Sequence, residues 1–268
     1  MYCRWNRIVR PLALAALLWL APVYTSQAQE YRLSWIGDGA LLATGLSSAI
    51  LSQVLLQDAA PGSLGAIDIS KVNAFDRLAV FGYSHALDVT SDVFQYATAA
   101  IPVMFAFLCR LDQTAAIGVV YLEALSWAFA AKNLLKFLVP RYRPYLYSPL
   151  PAGSGPAASE YADSFPSGHA TIAFTAAAFS LYTFQTYFPS SPYLLPVALA
   201  GYGLATLTAT FRVVSGMHFL TDVLAGALLG TIMGYGIPLL HRAWARKDGS
   251  GEVELEASPA ALMLRVSW

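Results

Sequence analysis

Three short clusters in this chain have the residue types and spacing to handle an anion. The first is Lys136, six further residues, then Arg143-Pro144. The second is Pro166-Ser167-Gly168-His169, directly before an apolar run. The third is Arg212, five residues, His218, three residues, and Asp222. Lys136, Arg143 and Arg212 offer three cations, and guanidinium groups match phosphate oxygens two at a time. A helix opened by Pro166-Ser167-Gly168 leaves the Ser167 and Gly168 backbone N–H groups free at the positive end of its dipole, where phosphate binds readily. His218 and Asp222 are four apart, so on a helix they stand one above the other. Asp222 is then expected to accept a hydrogen bond from one ring nitrogen of His218, fixing the tautomer and pointing the other lone pair outward. An imidazole held that way is a nucleophile, and His169 supplies a second imidazole as an acid.

Each cluster also has a plainer reading. Cations at the end of a membrane helix commonly snorkel to the interface, and that is the reading taken for Lys132 and Arg141. Pro-Ser-Gly is an ordinary helix cap, and a buried His–Asp pair can simply satisfy itself. Chemistry is favoured by the coincidence of all three clusters in two loops, 140–166 and 212–217. Counting helices places both loops on one membrane face. Glu123, inside an apolar stretch, belongs to none of the clusters and is expected to hydrogen-bond a neighbouring helix.

The elements that carry these residues are membrane helices. The chain has 268 residues, of which 57% are hydrophobic and only 12% charged, with a mean hydropathy of +0.52. Soluble domains carry about 25% charged residues, so lipid is the solvent for much of this chain. Stretches 89–108, 115–135, 170–188, 194–210 and 220–240 meet the length and apolarity of a membrane span. A sixth, 39–56, is shorter and carries Ser47, Ser48, Ser52 and Gln53. The expected fold class is all-α, a polytopic membrane bundle of five to six spans with the active site at one membrane face. Basic and acidic residues balance at 16 each, which argues against a nucleic-acid partner. Cys3 and Cys109 lie far apart with no metal-ligand spacing, so neither a disulfide framework nor a structural zinc site is expected.

Residues 1–28 read as a signal peptide, with Arg4, Arg7 and Arg10, an apolar core at 12–20, and Ser26 and Ala28 before the cut. Residues 29–87 then form an N-terminal membrane-associated segment and loop, 88–242 the helical core, and 243–268 a polar tail compatible with a small hairpin turning at Ser258-Pro259. Arg242, Arg246 and Lys247 just past the last span argue for a cytoplasmic tail, which puts the two polar loops in the periplasm. A cleaved signal also puts the new N-terminus outside. Six full spans would place both ends on one side, so 39–56 is expected to be the incomplete span.

At these residues the chain resembles the type 2 phosphatidic acid phosphatase family, which includes the vanadium haloperoxidases. The family pattern is K-x6-RP, PSGH and SR-x5-H-x3-D. It is matched at Lys136 to Pro144, at Pro166 to His169 and at Arg212 to Asp222, except that Phe211 replaces the family serine. The resemblance implies a metal-independent hydrolase of a lipid phosphate or diphosphate drawn from the bilayer of a bacterial inner membrane. In it, His218 becomes a phosphohistidine, Asp222 orients it and His169 protonates the leaving oxygen. Lys136, Arg143, Arg212 and the Ser167 and Gly168 amides hold the phosphoryl group. Phe211 is expected to alter the phosphate contacts or the pocket. A vanadate-dependent haloperoxidase and a non-catalytic lipid-handling protein of the same fold are the alternatives. Neither the particular lipid nor the oligomeric state is legible in the sequence.

Overall fold

The computed structural model describes residues 31, 33–58, 67–148, 161–247, 256–258 and 261–263. The signal sequence expected over 1–28, most of the loop before Tyr161 and the turn at Pro259 lie outside them. The helices are α1 (Trp35–Asp58), α2 (Ala74–Arg77), α3 (His85–Ala99), α4 (Phe105–Leu108), α5 (Leu111–Leu138), α6 (Gly168–Tyr187), α7 (Leu194–Val214) and α8 (Leu220–Lys247). Short 3-10 turns occupy Ile69–Lys71, Ile101–Met104 and Pro144–Tyr147. Two three-residue strands, β1 (Glu256–Ser258) and β2 (Ala261–Met263), pair antiparallel in the tail, with Ala257 opposite Leu262.

Five helical stretches among the described residues are long and apolar enough to cross a membrane: Ile36–Leu56, His85–Leu108, Leu111–Leu138, Leu194–Val214 and Leu220–Ala243. One expectation is corrected: the weak 39–56 segment is part of a 24-residue helix, α1, and qualifies as a span. The 170–188 stretch forms the 20-residue helix α6, which is less apolar than those five. The physical reason is burial. Helix α6 packs against α3, α5, α7 and α8, and Thr171, Thr175, Ser180 and Thr183 are each buried within it. Surrounded by protein, it carries no lipid-facing apolar stripe.

Contacts fix the directions of the helices. Helices α1 and α5 run side by side in parallel, since the Trp127 indole donates to Leu41 O at 3.2 Å and Asn133 Nδ2 donates to Gln53 Oε1 at 2.9 Å. Helices α6 and α8 are also parallel. A Cβ added to Gly226, Gly230 or Gly234 would strike the Ser167, Thr171 or Thr175 carbonyl respectively, so these three glycines at four-residue spacing let the two backbones touch. The ends of α1, α5 and α7 and the starts of α3, α6 and α8 therefore meet on one face. The opposite end is sealed by Phe105, Ile117, Val120, Phe179, Phe184 and Ile237.

The glycine seam yields a direct test. Gly230→Leu is expected to abolish monodisperse protein in detergent, because the side chain would have to pass through the α6 backbone. Gly203→Ala, which meets nothing within 4 Å, should leave the size-exclusion profile and melting temperature unchanged.

Candidate active site

Lys136 ends the last turn of α5 and is buried, with Nζ donating to the Asp163 carbonyl. Its approach is set by a short parallel bridge between Arg141 and Asp163. There Arg141 N donates to Ala162 O at 2.8 Å and Ser164 N to Arg141 O at 3.0 Å. Arg143 follows on the same strap, buried, with Nη1 3.4 Å from Met217 O. Tyr145 N donates to Gly216 O at 3.0 Å, so this strap is laced to the turn before α8. Gly216 has φ +76, and a Cβ there would strike the Phe81 and Gly82 carbonyls, so no other residue fits the turn without strain. Arg212 sits in the last turn of α7, donating to Asp88 Oδ1 and, at 3.2 Å, to Ser91 Oγ, both on α3.

His218 lies in the turn between α7 and α8 and is 1% exposed. Its Nδ1 is 2.7 Å from the Ser164 carbonyl, which can only accept, so Nδ1 carries the proton and Nε2 the lone pair. Burial holds its pKa well below that of a free imidazole, and the nearby charges of Arg212, Arg143 and Lys136 and the His169 ring act in the same direction. The ring is therefore neutral at physiological pH. The three distant cations and both histidines thus meet at one place.

The expected pairing of His218 with Asp222 is corrected. His218 Nδ1 is 3.8 Å from Asp222 Oδ2, beyond hydrogen-bond range. Asp222 instead accepts from Ser164 Oγ at 2.6 Å, from Phe219 N at 2.8 Å and from Arg141 Nη1 at 2.5 Å. Its influence on His218 passes through Ser164, whose hydroxyl it holds and whose carbonyl holds the ring.

The helix-terminus expectation is half corrected. Ser167 N donates to Asp222 O at 3.0 Å and is not available to a ligand, while Ser167 Oγ caps α6 by accepting from Ala170 N at 3.4 Å. The Gly168 and His169 amides remain at the first turn of α6, where helix geometry supplies no internal partner. His169 Nε2 is 2.6 Å from Asp92 Oδ1.

Lys132 and Arg141 do not snorkel. Lys132 Nζ donates to Asn133 Oδ1 at 2.5 Å and lies 3.7 Å from the Phe129 ring centroid, with its stem across Gly168. Arg141 reaches Asp222 Oδ1 and, at 2.7 Å, Asp76 Oδ2, and stacks 4.2 Å above Phe219. Asp76 also accepts from the Thr221 amide at 2.9 Å and its hydroxyl at 2.6 Å. Phe211 turns away to stack on Phe94 of α3, ring centroids 5.4 Å apart. Sequence reasoning missed Asp76, Asp88, Ser91, Asp92 and Ser164. Asp88 and Asp92, four apart in the first turns of an apolar helix, were the available signal.

Burial alone would push Asp76 up, but the hydrogen bonds from Arg141, Thr221 and Asn73 outweigh it and hold the carboxyl below its usual range. Its stabilising contribution is therefore complete above the unfolded carboxylate pKa of about 3.9 and fades as pH falls below that. Thermal melts should show this acid loss in the wild type and a flatter acid limb in Asp76→Asn. Arg141→Ala should cost about 3 kcal/mol at neutral pH, because it leaves buried Asp76 and Asp222 without their shared cation.

Residues 117–246 match the PAP2 superfamily. A lipid A 1-phosphatase of Porphyromonas gingivalis is 38% identical over 73 residues, which are 27% of this chain and only 15% of that relative's length. Among solved structures, Aquifex aeolicus LpxE is 24% identical, with 65% of this chain and 99% of that one covered and a TM-score of 0.46. The first transmembrane PAP2-type phosphatidylglycerolphosphate phosphatase structure from Bacillus subtilis is 22% identical, with 88% and 95% covered and a TM-score of 0.39. The three linked motifs, brought together at one end of a membrane helix bundle, all lie within the residues that match the PAP2 superfamily.

Proposed function

We propose that this chain is a membrane-embedded phosphatase that hydrolyses a lipid phosphate or diphosphate through a phosphohistidine on His218, with no metal in the reaction. The observation that carries the reading is the His218 ring: neutral, donating through Nδ1 to Ser164 O, and gathered with Lys136, Arg143 and Arg212. Its Nε2 lone pair attacks phosphorus, the phosphorus–oxygen bond to the lipid breaks, and His169 gives its proton to the leaving oxygen. A water then yields a proton to His169 and attacks the phosphorus, the phosphorus–nitrogen bond breaks, and inorganic phosphate leaves with His218 neutral again. The cations and the Gly168 amide stabilise charge on the phosphoryl oxygens, which is the main demand of in-line phosphoryl transfer. Asp92 orients His169.

The substrate comes sideways from the bilayer, and exposed apolar side chains on α1, α7 and α8 such as Ile50, Leu199 and Leu228 face that lipid. Phosphatidic acid, phosphatidylglycerol phosphate, undecaprenyl diphosphate and lipid A phosphates form the panel to assay. Purified protein should release phosphate from one of them, with an acid-labile phosphoprotein accumulating on rapid quench. His218→Ala should reduce release to background while melting as the wild type does. Retained turnover in that variant would refute the nucleophile. Asp92→Asn should lower kcat by about 10–100-fold through loss of acid–base efficiency.

The site faces the periplasm of a bacterial inner membrane in this reading, because the basic residues Arg242, Arg246 and Lys247 end α8 on the far face. With α1 a full span, its start lies on that same far face, so a signal cleaved after Ala28 and a periplasmic site exclude each other. A green fluorescent protein fused after Trp268 should fluoresce and an alkaline phosphatase fusion should be inactive. The reverse pair of results would put the site in the cytoplasm.

A further inference from the structure

Lys132 is a cation beside the anion cradle for which the proposed chemistry has no use. It stands on α5 one turn before Lys136, about 6 Å deeper in the bundle at the helical rise of 1.5 Å per residue. Its stem crosses the first turn of α6. Cδ is 3.3 Å and Nζ 3.8 Å from where a Cβ on Gly168 would stand. Gly168 directly precedes His169, the acid of the proposed reaction. The charge of Lys132 acts on both His169 and Lys136. The groups that act most on His218 are instead Arg212, Arg143, Lys136 and the His169 ring. Lys132 thus stands on the His169 side of the cradle.

The ammonium is held in place without being neutralised. Nζ donates to Asn133 Oδ1 at 2.5 Å and lies 3.7 Å from the Phe129 ring centroid. Asn133 is fully buried, and its Nδ2 donates to Gln53 Oε1 of α1 at 2.9 Å, so α1 fixes the acceptor that fixes Lys132. One of the three ammonium N–H groups is used in this way. Asp163 is the carboxylate whose charge acts on Lys132, but among the described residues no ion pair joins them. A partly buried cation at a membrane rim is costly without an anion beside it.

In-line transfer puts the nucleophile and the leaving oxygen on opposite sides of phosphorus. With His218 attacking, the leaving group lies on the side of His169 and Lys132. An alcohol leaves neutral once His169 has given it a proton, and needs no cation. A leaving group that is itself a phosphate keeps negative charge after that proton arrives. Building on the phosphatase reading, we propose that Lys132 binds the lipid-side phosphate of a diphosphate, which makes a lipid diphosphate the preferred substrate. The bond from His218 Nε2 to the terminal phosphorus forms. The bond from that phosphorus to the bridging oxygen breaks, and its electron pair stays on that oxygen. His169 protonates the oxygen, and the departing lipid phosphate carries its remaining charge against Lys132. Depth agrees with this assignment, because the lipid-side phosphate lies between the transferred phosphoryl group and the tail in the bilayer, and Lys132 is one turn deeper than Lys136.

The test compares diacylglycerol diphosphate with phosphatidic acid, which share their lipid and differ by one phosphate, using the full chain in detergent. Wild type should show the higher kcat/KM on the diphosphate. Lys132→Met keeps the stem across Gly168 and should lower the diphosphate-to-monophosphate ratio of kcat/KM by about tenfold or more, as the loss of one charge-assisted hydrogen bond requires. A binding arm needs no turnover. Inorganic pyrophosphate should raise the melting temperature of wild type more than orthophosphate does at equal concentration, and Lys132→Met should lose that difference. Lys132→Gln serves as a second uncharged variant if the first does not fold. Wild type that prefers phosphatidic acid, an unchanged ratio in the variant, or pyrophosphate that protects no better than orthophosphate would overturn the assignment. Absence of phosphate release from every lipid would instead sink the phosphatase reading, and the pyrophosphate arm would still decide the role of Lys132.

Discussion

A carboxylate with no exposure at the start of a membrane helix must find its partners inside the protein or not ionise, and Asp222 is in that position. The rest of the site follows from how it is satisfied. Arg141 from the α5–α6 loop, the Ser164 hydroxyl and the Phe219 amide each give it a donor, and its own carbonyl takes the Ser167 N–H. One residue thereby fixes the strap around Arg141, the turn at Ser164, the cap of α6 and the entry to α8. His218 is placed as a consequence, because the same Ser164 that serves Asp222 offers its carbonyl to the ring. Arg141 extends the arrangement to Asp76, and so pins the segment before α3 to the start of α8.

Gathering Lys136, Arg143 and Arg212 works against the fold, because like charges repel strongly where water is scarce. Two acids on α3 offset part of that. Asp88 takes Arg212, while Asp92 lies 4.0 Å from Arg212 and also meets His169. In the proposed reading, an oxyanion bound beside these cations would lower their mutual repulsion further, which ties their gathering to phosphoryl binding. The same logic keeps His218 neutral: its surroundings already hold enough positive charge to disfavour one more proton.

The sequence made the three clusters and the all-helical class legible because both rest on local spacing. Lys136, Arg143, Arg212, His169 and His218 could be nominated from motif order, and helix counting put them on one face. The wiring among them was not legible, since it runs through backbone groups and residues of ordinary type. Ser164 is one serine in a polar loop, and its carbonyl rather than Asp222 orients His218. A spacing of four puts two side chains on one helix face but says nothing about a third group entering between them. Arg141 had the composition of an interfacial cation; only Asp76, 65 positions earlier, makes it a half-buried clasp. Glu123 was expected to bond a neighbouring helix, and His241 is that partner, but no pattern predicted that Asp38 would join them.

The apolarity of α1 and the lower apolarity of α6 have a common cause. Apolarity in a membrane protein measures contact with lipid rather than depth in the membrane. Helix α1 packs mainly on α5 and meets lipid over most of its surface, so it is apolar despite its serines, of which Ser52 bonds its own backbone at Ala49 O. Helix α6 is enclosed, and its threonines bond back to the preceding turn, as Thr171 does to Ser167 O and Thr175 to Thr171 O. Enclosure is also what lets α6 carry His169. A helix gripped by α3, α5, α7 and α8, with three glycines of α8 against its backbone, cannot shift its first turn without moving the whole bundle. His169, the acid of the proposed mechanism, is thus mounted on the helix that the most neighbours enclose.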